Sequence, residues 1–387
     1  MAGVTVQSPK IVFLVNGSPQ NAMGLRAQSF TERLRGEFEI HTAYRSANKV
    51  KAIFDFCMFL IRVRPALCYV LDMAFSGVLA AAIYRSISSC RVIVDTGDAI
   101  YELSRLTGNR GSAGLWLTKF LEELGFAISD RVVVRSQAHQ ELLSRRRIAA
   151  EVVPDGVDLM QFQPRAEPEL RRQFGLEGFV SVGVVGSLIW NPRWQFCYGW
   201  DLIEAIHLLR DLPVKGVIVG DGSGLPFLKK QCAERGLEDR IVFVGRVPYE
   251  ELPRYLNSFD ICLSTQSNDL AGQVRTTGKL PLYLACGRYV LASEVGGAAR
   301  VLPSEMLIPY DGTKDENYPE RLAHRIGVLV AHPERLNRPE ESRTIAQDHF
   351  DYNVLAAKVG RTIQDVLLRR PAHRKEESRM ASGTFRQ

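Results

Sequence analysis

Short runs of consecutive apolar residues, each followed by room for one helix, recur along this chain and restrict it to a narrow set of folds. IVFLV begins at residue 11, CYVLD at 68, RVIVD at 91 and RVVV at 131. A second series follows, with VSVGVVG at 180, VKGVIVG at 214, RIVFVG at 240, DICLS at 260 and YVLAS at 289. Strands that are apolar throughout, instead of alternating, are buried on both faces, as in a parallel sheet covered by helices. The intervening stretches carry helical spacing. Glu250 to Phe259, for example, puts Leu252, Tyr255, Leu256 and Phe259 on one side, with Pro253 in the first turn, where a missing N–H costs least. The expected architecture is α/β, with two doubly wound, Rossmann-like parallel sheets facing a cleft.

A length of 387 residues suits two such domains. The boundary is expected at EVVPDGVDLMQFQP, residues 151–164, an extended stretch with a Pro154-Asp155-Gly156 turn, followed by the charged RAEPELRRQFG. The hinge then falls at about 155–178, dividing a first domain, 1–165, from a second, 166–349. Residues 350–370 read as one long helix, with Leu355, Val359, Ile363 and Val366 on one face, returning to the back of the first domain. Residues 371–387 read as a basic, disordered tail.

Charge narrows the function classes. The net charge is +6, and the six basic residues from Arg369 onward, set against Glu376 and Glu377, supply +4 of it. The body is nearly balanced and offers no basic stripe for nucleic acid. The seven cysteines are scattered and never spaced as CxxC, which fits buried thiols in a reducing cytosol better than disulfides or a zinc site. The start of the chain, MAGVTVQSPK, runs straight into a strand and carries no secretion signal, and the apolar stretch 66–84 is interrupted by Asp72, Ser76 and Gly77. A cytoplasmic protein is expected. A peripheral contact at the cytosolic face of a membrane stays open, through the basic tail and the helix around Arg62 and Arg64.

In an open parallel sheet the ligand binds beyond the carboxyl ends of the strands, so residues just after each apolar run are the candidates. After the first run come Asn16, Gly17 and Ser18, then Gly24; the glycines allow a close backbone approach, or mark a plain turn. After RVIVD comes Thr96-Gly97-Asp98. Asp95 and Asp98 offer a carboxylate to orient a hydroxyl, with capping of the next helix as the alternative for Asp98. In the second half Gly220-Asp221-Gly222-Ser223-Gly224 opens a helix and could present backbone N–H groups to an anion. The strongest local signal is QVRTTGK. There Arg275, Thr276, Thr277, Gly278 and Lys279 bring two cations, two hydroxyls and a helix start to one point, which suits a diphosphate. Arg193 is a further cation, in a loop whose Trp190, Trp194, Tyr198 and Trp200 could stack on a base or sugar, or simply pack the loop. No metal-ligand cluster is evident from the spacing of the histidines and carboxylates.

The segments KIVFLVNGS, ISDRVVVRSQAHQELL, VVPDGVDLMQFQP, VGVVGSLIW, VKGVIVGDGSGLPFLKK, RIVFVGRVPYEELPRYLNSFDICLST and GKLPLYLACGRYVLASEVGG occur in that order. On them the chain resembles the GT-B glycosyltransferases, and within those the retaining family 4 (group 1), from Lys10 to about Arg370. The resemblance implies transfer of a sugar from a nucleotide-diphosphate donor to the hydroxyl of a glycan, lipid-linked or small-molecule acceptor. It implies retention at the anomeric carbon, with no metal or other cofactor. The second domain would bind the donor, with the base or ribose near Gly220, Gly222, Gly245, Arg246 and Val247, and the acceptor would enter from the first domain. The sequence departs from the family pattern in four places. The two glutamates usual in the family fall on Val274 and Leu282, a usual lysine is Tyr198, and Arg300 stands where glutamate is frequent. A nucleotide-sugar epimerase, or a non-catalytic GT-B protein that binds nucleotide or acts as a scaffold, are the alternatives.

Overall fold

The computed structural model describes residues 8–73, 75–108 and 110–368. The basic tail and the last two residues of the expected helix 350–370 lie outside them. The first half alternates strand and helix: β1 (Lys10–Val15), α1 (Ala22–Leu34), β2 (Glu39–Tyr44), α2 (Lys49–Val63), β3 (Leu67–Leu71), α3 (Phe75–Ser86), β4 (Arg91–Thr96), α4 (Ile100–Thr107), α5 (Ser112–Ile128), β5 (Arg131–Val134), α6 (Gln137–Arg145) and β6 (Ala150–Val152). The second half continues with α7 (Pro168–Gln173), β7 (Val180–Val185), α8 (Trp200–Leu208), β8 (Val214–Val219), α9 (Leu225–Glu234), β9 (Ile241–Gly245), α10 (Leu252–Asn257) and β10 (Ile261–Ser264). It closes with α11 (Leu270–Gln273), α12 (Lys279–Ala285), β11 (Tyr289–Ser293), α13 (Ala298–Val301), β12 (Leu307–Ile308), α14 (Tyr318–Ala331), α15 (Pro339–Phe350) and α16 (Tyr352–Leu368).

Two six-stranded sheets result, ordered β2-β1-β3-β4-β5-β6 and β12-β11-β10-β7-β8-β9. Every pairing is parallel, for example Ile11 beside Leu67 and Ile261 beside Val182. Eight of the nine strands read from sequence are central ones, β1, β3, β4 and β5 in one sheet and β7, β8, β10 and β11 in the other, while the ninth, β9, is a mostly half-buried edge strand. Three further strands, β2, β6 and β12, stand at sheet edges. β2 is half-buried along its whole length and β12 has only two residues, so neither shows a continuous apolar run.

Both faces of the first sheet are covered. On one side α2, α3, α5 and α6 bury Phe56, Leu60, Val78, Tyr84, Phe126 and Leu143. On the other, α1 and α16 bury Phe30, Leu34, Leu355, Val359 and Ile363, each fully buried side chain contributing about 1.5–3 kcal/mol. The helix expected over 350–370 is α16, which starts at Tyr352, just after α15 ends at Phe350. Asp351 is extended (ψ 121°) and separates the two helices. At this break the chain crosses back to the first domain, with Val157 N–H donating to the Phe350 carbonyl at 2.8 Å and Tyr352 N–H donating to the Val157 carbonyl at 3.2 Å. Gly360 lies where α16 approaches α1 most closely, and an added Cβ would sit 3.0 Å from Leu34 Cδ2. The linker between the sheets is fastened by Arg343, which donates to the carbonyls of Leu159, Phe162 and Ala285.

Candidate active site

Each sheet has one place where the chain reverses its direction of strand addition, between β1 and β3 in the first and between β7 and β10 in the second. Adjacent connections there leave on opposite faces and open a crevice at the carboxyl ends of the strands. The second crevice holds a cavity of about 300 Å³, lined by Ser187 after β7, Thr265 and Gln266 after β10, and Lys279 at the start of α12. Leu103, Leu106 and Thr107 of α4 close it from the first domain, so it lies between the two halves.

Lys279 is one of two cations that line this cavity, Arg275 being the other. Its ammonium sits 3.3 Å from the centroid of the Tyr198 ring. The ring is anchored because Tyr198 Oη donates to the Leu263 carbonyl at 2.7 Å. Tyr198, at a position usually lysine in the resembled family, thus forms the platform for a lysine that arrives from another helix. Burial pushes the Lys279 ammonium down to about 7, Asp201 draws it back up, and Arg275 adds to the fall. Asp201, in the first turn of α8, accepts the Thr265 hydroxyl on Oδ2, while its buried Oδ1 has no partner. Burial raises the Asp201 carboxyl, and the bond from Thr265 opposes the rise. The cavity therefore offers a half-buried ammonium, and an unpaired carboxylate oxygen lies buried in its wall.

The first crevice is organised differently. Asn16 Nδ2, after β1, donates to Asp72 Oδ2, after β3, at 3.2 Å. Asp72 and Met73 both have left-handed backbones, at φ 65° and 39°. Burial raises the Asp72 carboxyl to about 6, the Arg135 charge lowers it and that of Asp98 raises it. Behind it lies a buried ion network, in which the Arg135 Nε alone finds no partner among the described residues. Arg26, buried in α1, donates from Nε and Nη2 to Asp95 Oδ2 at 3.2 and 3.0 Å, and pairs with Asp155 at 3.3 Å. Tyr69 Oη donates to the same Asp95 oxygen at 3.0 Å. Arg135 pairs with Asp155 at 3.1 Å, Asp95 at 3.4 Å and Asp72 at 3.7 Å. Gly97 is required here, because a Cβ would meet the Arg135 guanidinium at 2.6 Å.

The two crevices meet at one ion pair. Arg275 Nη2 lies 2.7 Å from Asp98 Oδ1, and its Nε donates to the same oxygen at 2.8 Å. Both side chains remain about one-third exposed. Beside them the segment 274–276 is bonded to the first domain: Ser136 donates to the Val274 carbonyl at 2.7 Å, and Thr276 donates to the Arg135 carbonyl at 3.0 Å.

The residues read from sequence therefore separate into groups. Arg275, Thr277 and Lys279 line the cavity, and Asp98 reaches its rim through Arg275. Thr277 also shares a hydrogen bond with Ser264 at 3.0 Å. Thr276 is buried against Arg135 and pins the domains together, away from the cavity lining. Gly278 precedes α12, and a Cβ there would face Asp155 at 3.8 Å. Asp98 does not cap α4: that helix has Ala99 at its N-cap and no side-chain cap bond. Asp95 is fully buried in the ion network and presents no carboxylate to the cleft.

The glycine-rich turns serve the chain itself. A Cβ at Gly220 would lie 1.9 Å from the Gly186 carbonyl oxygen, and one at Gly222 would lie 2.4 Å from that of Leu188. Gly220 N–H donates to Gly245, Gly222 N–H to the Asp221 carboxylate and Gly224 N–H to Leu188. Those donors, expected to face an anion, are engaged internally. Gly245 ends β9 and Arg246 and Val247 follow it, two strands away from the crevice, and none of the three lines the cavity. Gly17 (φ 120°) turns the chain against Asn21, and Gly24 packs under the Ser18 and Pro19 carbonyls. Arg193 is exposed, with its guanidinium 5.9 Å from the Trp194 ring centroid, and does not line the cavity. Trp190 packs on Phe227 and Phe196 on Trp200. Val274 and Leu282 are buried. Asp72, Asp201 and Arg135 escaped the sequence reading; Asp72 ends an apolar run as Asp95 does, and Asp201 opens a helix directly after the Tyr198-Gly199 turn.

Residues 180–332 match the family model described as Glycosyl transferases group 1. The 2-deoxystreptamine glucosyltransferase of Streptomyces kanamyceticus is 30% identical over 179 residues, 44% of this chain and 43% of that protein. The D-inositol 3-phosphate glycosyltransferase of Segniliparus rotundus is 31% identical over 242 residues, 59% of this chain and 51% of that protein. The chain thus spans about half the length of the curated relatives it matches. Anabaena HepE, solved in complex with UDP and glucose, superposes with a TM-score of 0.72 at 19% identity, over 92% of this chain and 99% of that one. The two-domain fold is shared along nearly the whole length.

Proposed function

We propose that this chain, a GT-B protein of the group 1 glycosyltransferase type, transfers a sugar from a nucleoside diphosphate sugar bound in the cavity between its domains to an acceptor hydroxyl presented by the first domain. The observation that carries the reading is the convergence of Lys279, Arg275 and Thr277 on one crevice, with Asp98 opposite. As the bond from the anomeric carbon to the diphosphate breaks, its electron pair stays on the leaving oxygen. Lys279 and Arg275 are positioned to stabilise that charge in a site closed by α4. The unpaired Asp201 oxygen suits a hydroxyl of the donor, and Asp98 suits the acceptor hydroxyl once Arg275 turns from it toward the diphosphate. UDP and glucose in the HepE complex support a nucleoside diphosphate in this fold. With cationic side chains at the leaving group, the chemistry needs no metal, and retention of configuration is part of the same reading.

The test is calorimetric titration with UDP, GDP, ADP and CDP and their sugar forms, with Lys279→Ala alongside. One diphosphate should bind best, and the variant should weaken it by about 10- to 100-fold, as expected for a lost charge-assisted hydrogen bond of about 1.5–3 kcal/mol. Normal binding by Lys279→Ala would mean the phosphate site lies elsewhere. Binding with neither donor hydrolysis nor transfer would point to a protein that only binds.

A further inference from the structure

The outer surface of the first domain carries apolar side chains that no other element covers. α2 buries Ala52, Phe56 and Leu60 against the sheet. On its opposite face, at helical spacing, Val50, Phe54, Met58 and Ile61 are 76%, 66%, 48% and 45% exposed. α3, packed beside α2, adds Ile83, and Ile87 follows just past its end, at 51% and 70% exposed. α5, packed against α3, adds Leu117 and the stacked pair Trp116 and Phe120, with Trp116 69% exposed. These three helices lie side by side on one face of the first sheet, so their exposed residues form one layer. Apolar patches of that extent on a water-soluble surface mark a place of association.

The charges around the layer say what associates. Lys49 and Lys51 at the start of α2, and Arg62 and Arg64 at its end, are exposed and make no ion pair among the described residues. Asp55 is the one carboxylate on α2. An aromatic and aliphatic face bordered by unpaired cations complements a surface that is apolar below and anionic above, with rings at the interface and basic heads among phosphates. We propose that the α2–α3–α5 face seats the first domain on an anionic lipid bilayer as a peripheral contact. No described helix is long and apolar enough to cross a membrane, so the contact is interfacial. It stands apart from the donor reading, since none of these residues lines the cavity.

Co-sedimentation of the full chain with phosphatidylcholine vesicles, with and without phosphatidylglycerol, tests it. The chain should partition onto the anionic vesicles about tenfold more strongly than onto neutral ones, less so at high salt. Phe54→Glu with Ile61→Glu, and separately Lys51→Glu with Arg62→Glu, should each lower that partition by about tenfold or more. All four positions are exposed, so the thermal melt should not move. Absence of vesicle binding by the unaltered chain would overturn the proposal, as would unchanged binding in both variants. A loss confined to Arg374→Glu with Lys375→Glu would assign the contact to the basic C-terminal segment instead. Conversion of a dimer to a monomer by Phe54→Glu with Ile61→Glu, without vesicle binding, would show that the face joins two copies.

Discussion

The two crevices are built from the same residue types and differ in how far they satisfy themselves. In the first domain Arg26, Asp95, Arg135 and Asp155 form a buried network in which both acidic groups meet two guanidinium groups, and only the Arg135 Nε is left without a partner among the described residues. In the second domain, among the described residues, Lys279 rests on a ring without a carboxylate in salt-bridge range, and Asp201 keeps one oxygen unpaired. Closed networks hold a frame, whereas open ones leave free energy to be gained by a ligand. The first crevice is thus a rigid wall with Asp98 and Asp72 on its surface, and the second is the place where charge is still wanted.

Removing one partner from the closed network should have the largest effect on the fold. Arg26→Ala leaves Asp95 buried with one guanidinium instead of two, and breaking a buried pair this way costs about 3–5 kcal/mol. Urea unfolding should show that loss, and a change below about 1 kcal/mol would mean the network does not frame the domain. The pair at the meeting point of the crevices should behave oppositely. Asp98→Asn breaks a half-exposed contact, so stability should move by less than about 1 kcal/mol. Transfer should fall by about 100-fold or more. Diphosphate affinity should hold or rise, because Arg275 is released toward the donor. Unimpaired transfer would remove Asp98 from the chemistry and leave it a latch between the domains.

The contrast also explains what could be read in the residues alone. Central strands such as VKGVIVG announce themselves because both their faces are buried, whereas Glu39–Tyr44 at a sheet edge alternates and is half-buried throughout. Lys279 and Arg275 were legible because cations bracketing hydroxyls at a helix start have few other uses. Asp201 was not, since an acidic residue in the first turn of a helix looks like an ordinary helix-dipole residue until its buried oxygen is found without a partner in the cavity wall. The glycine-rich turn GDGSG misled for the converse reason. Its pattern suits an anion, but the carbonyls of Gly186 and Leu188 occupy the space and Leu188 takes the Gly224 N–H. The last helix was legible because Leu355, Val359, Ile363 and Val366 repeat on one face and are buried there.

The smallest expected effect tests the open crevice through its proton. In the free protein the Lys279 ammonium titrates at about 7, below its ordinary value, because burial disfavours the charge. A bound diphosphate favours the charged form and raises that value, so above about pH 7 binding must take up a proton. Affinity should then fall as pH rises from 7 to 9, by up to tenfold per unit if the bound value lies above that range. The folding linkage has the opposite sign. Between about 7 and the ordinary lysine value the unfolded chain holds more protons than the ligand-free fold, so this group's contribution to stability rises with pH over the same window. Lys279→Arg separates the two possibilities. An arginine keeps its charge through this range, so the affinity should become flat with pH while remaining measurable. A slope unchanged in that variant would place the titrating group outside the crevice, and the contrast between the two halves would lose its sharpest term.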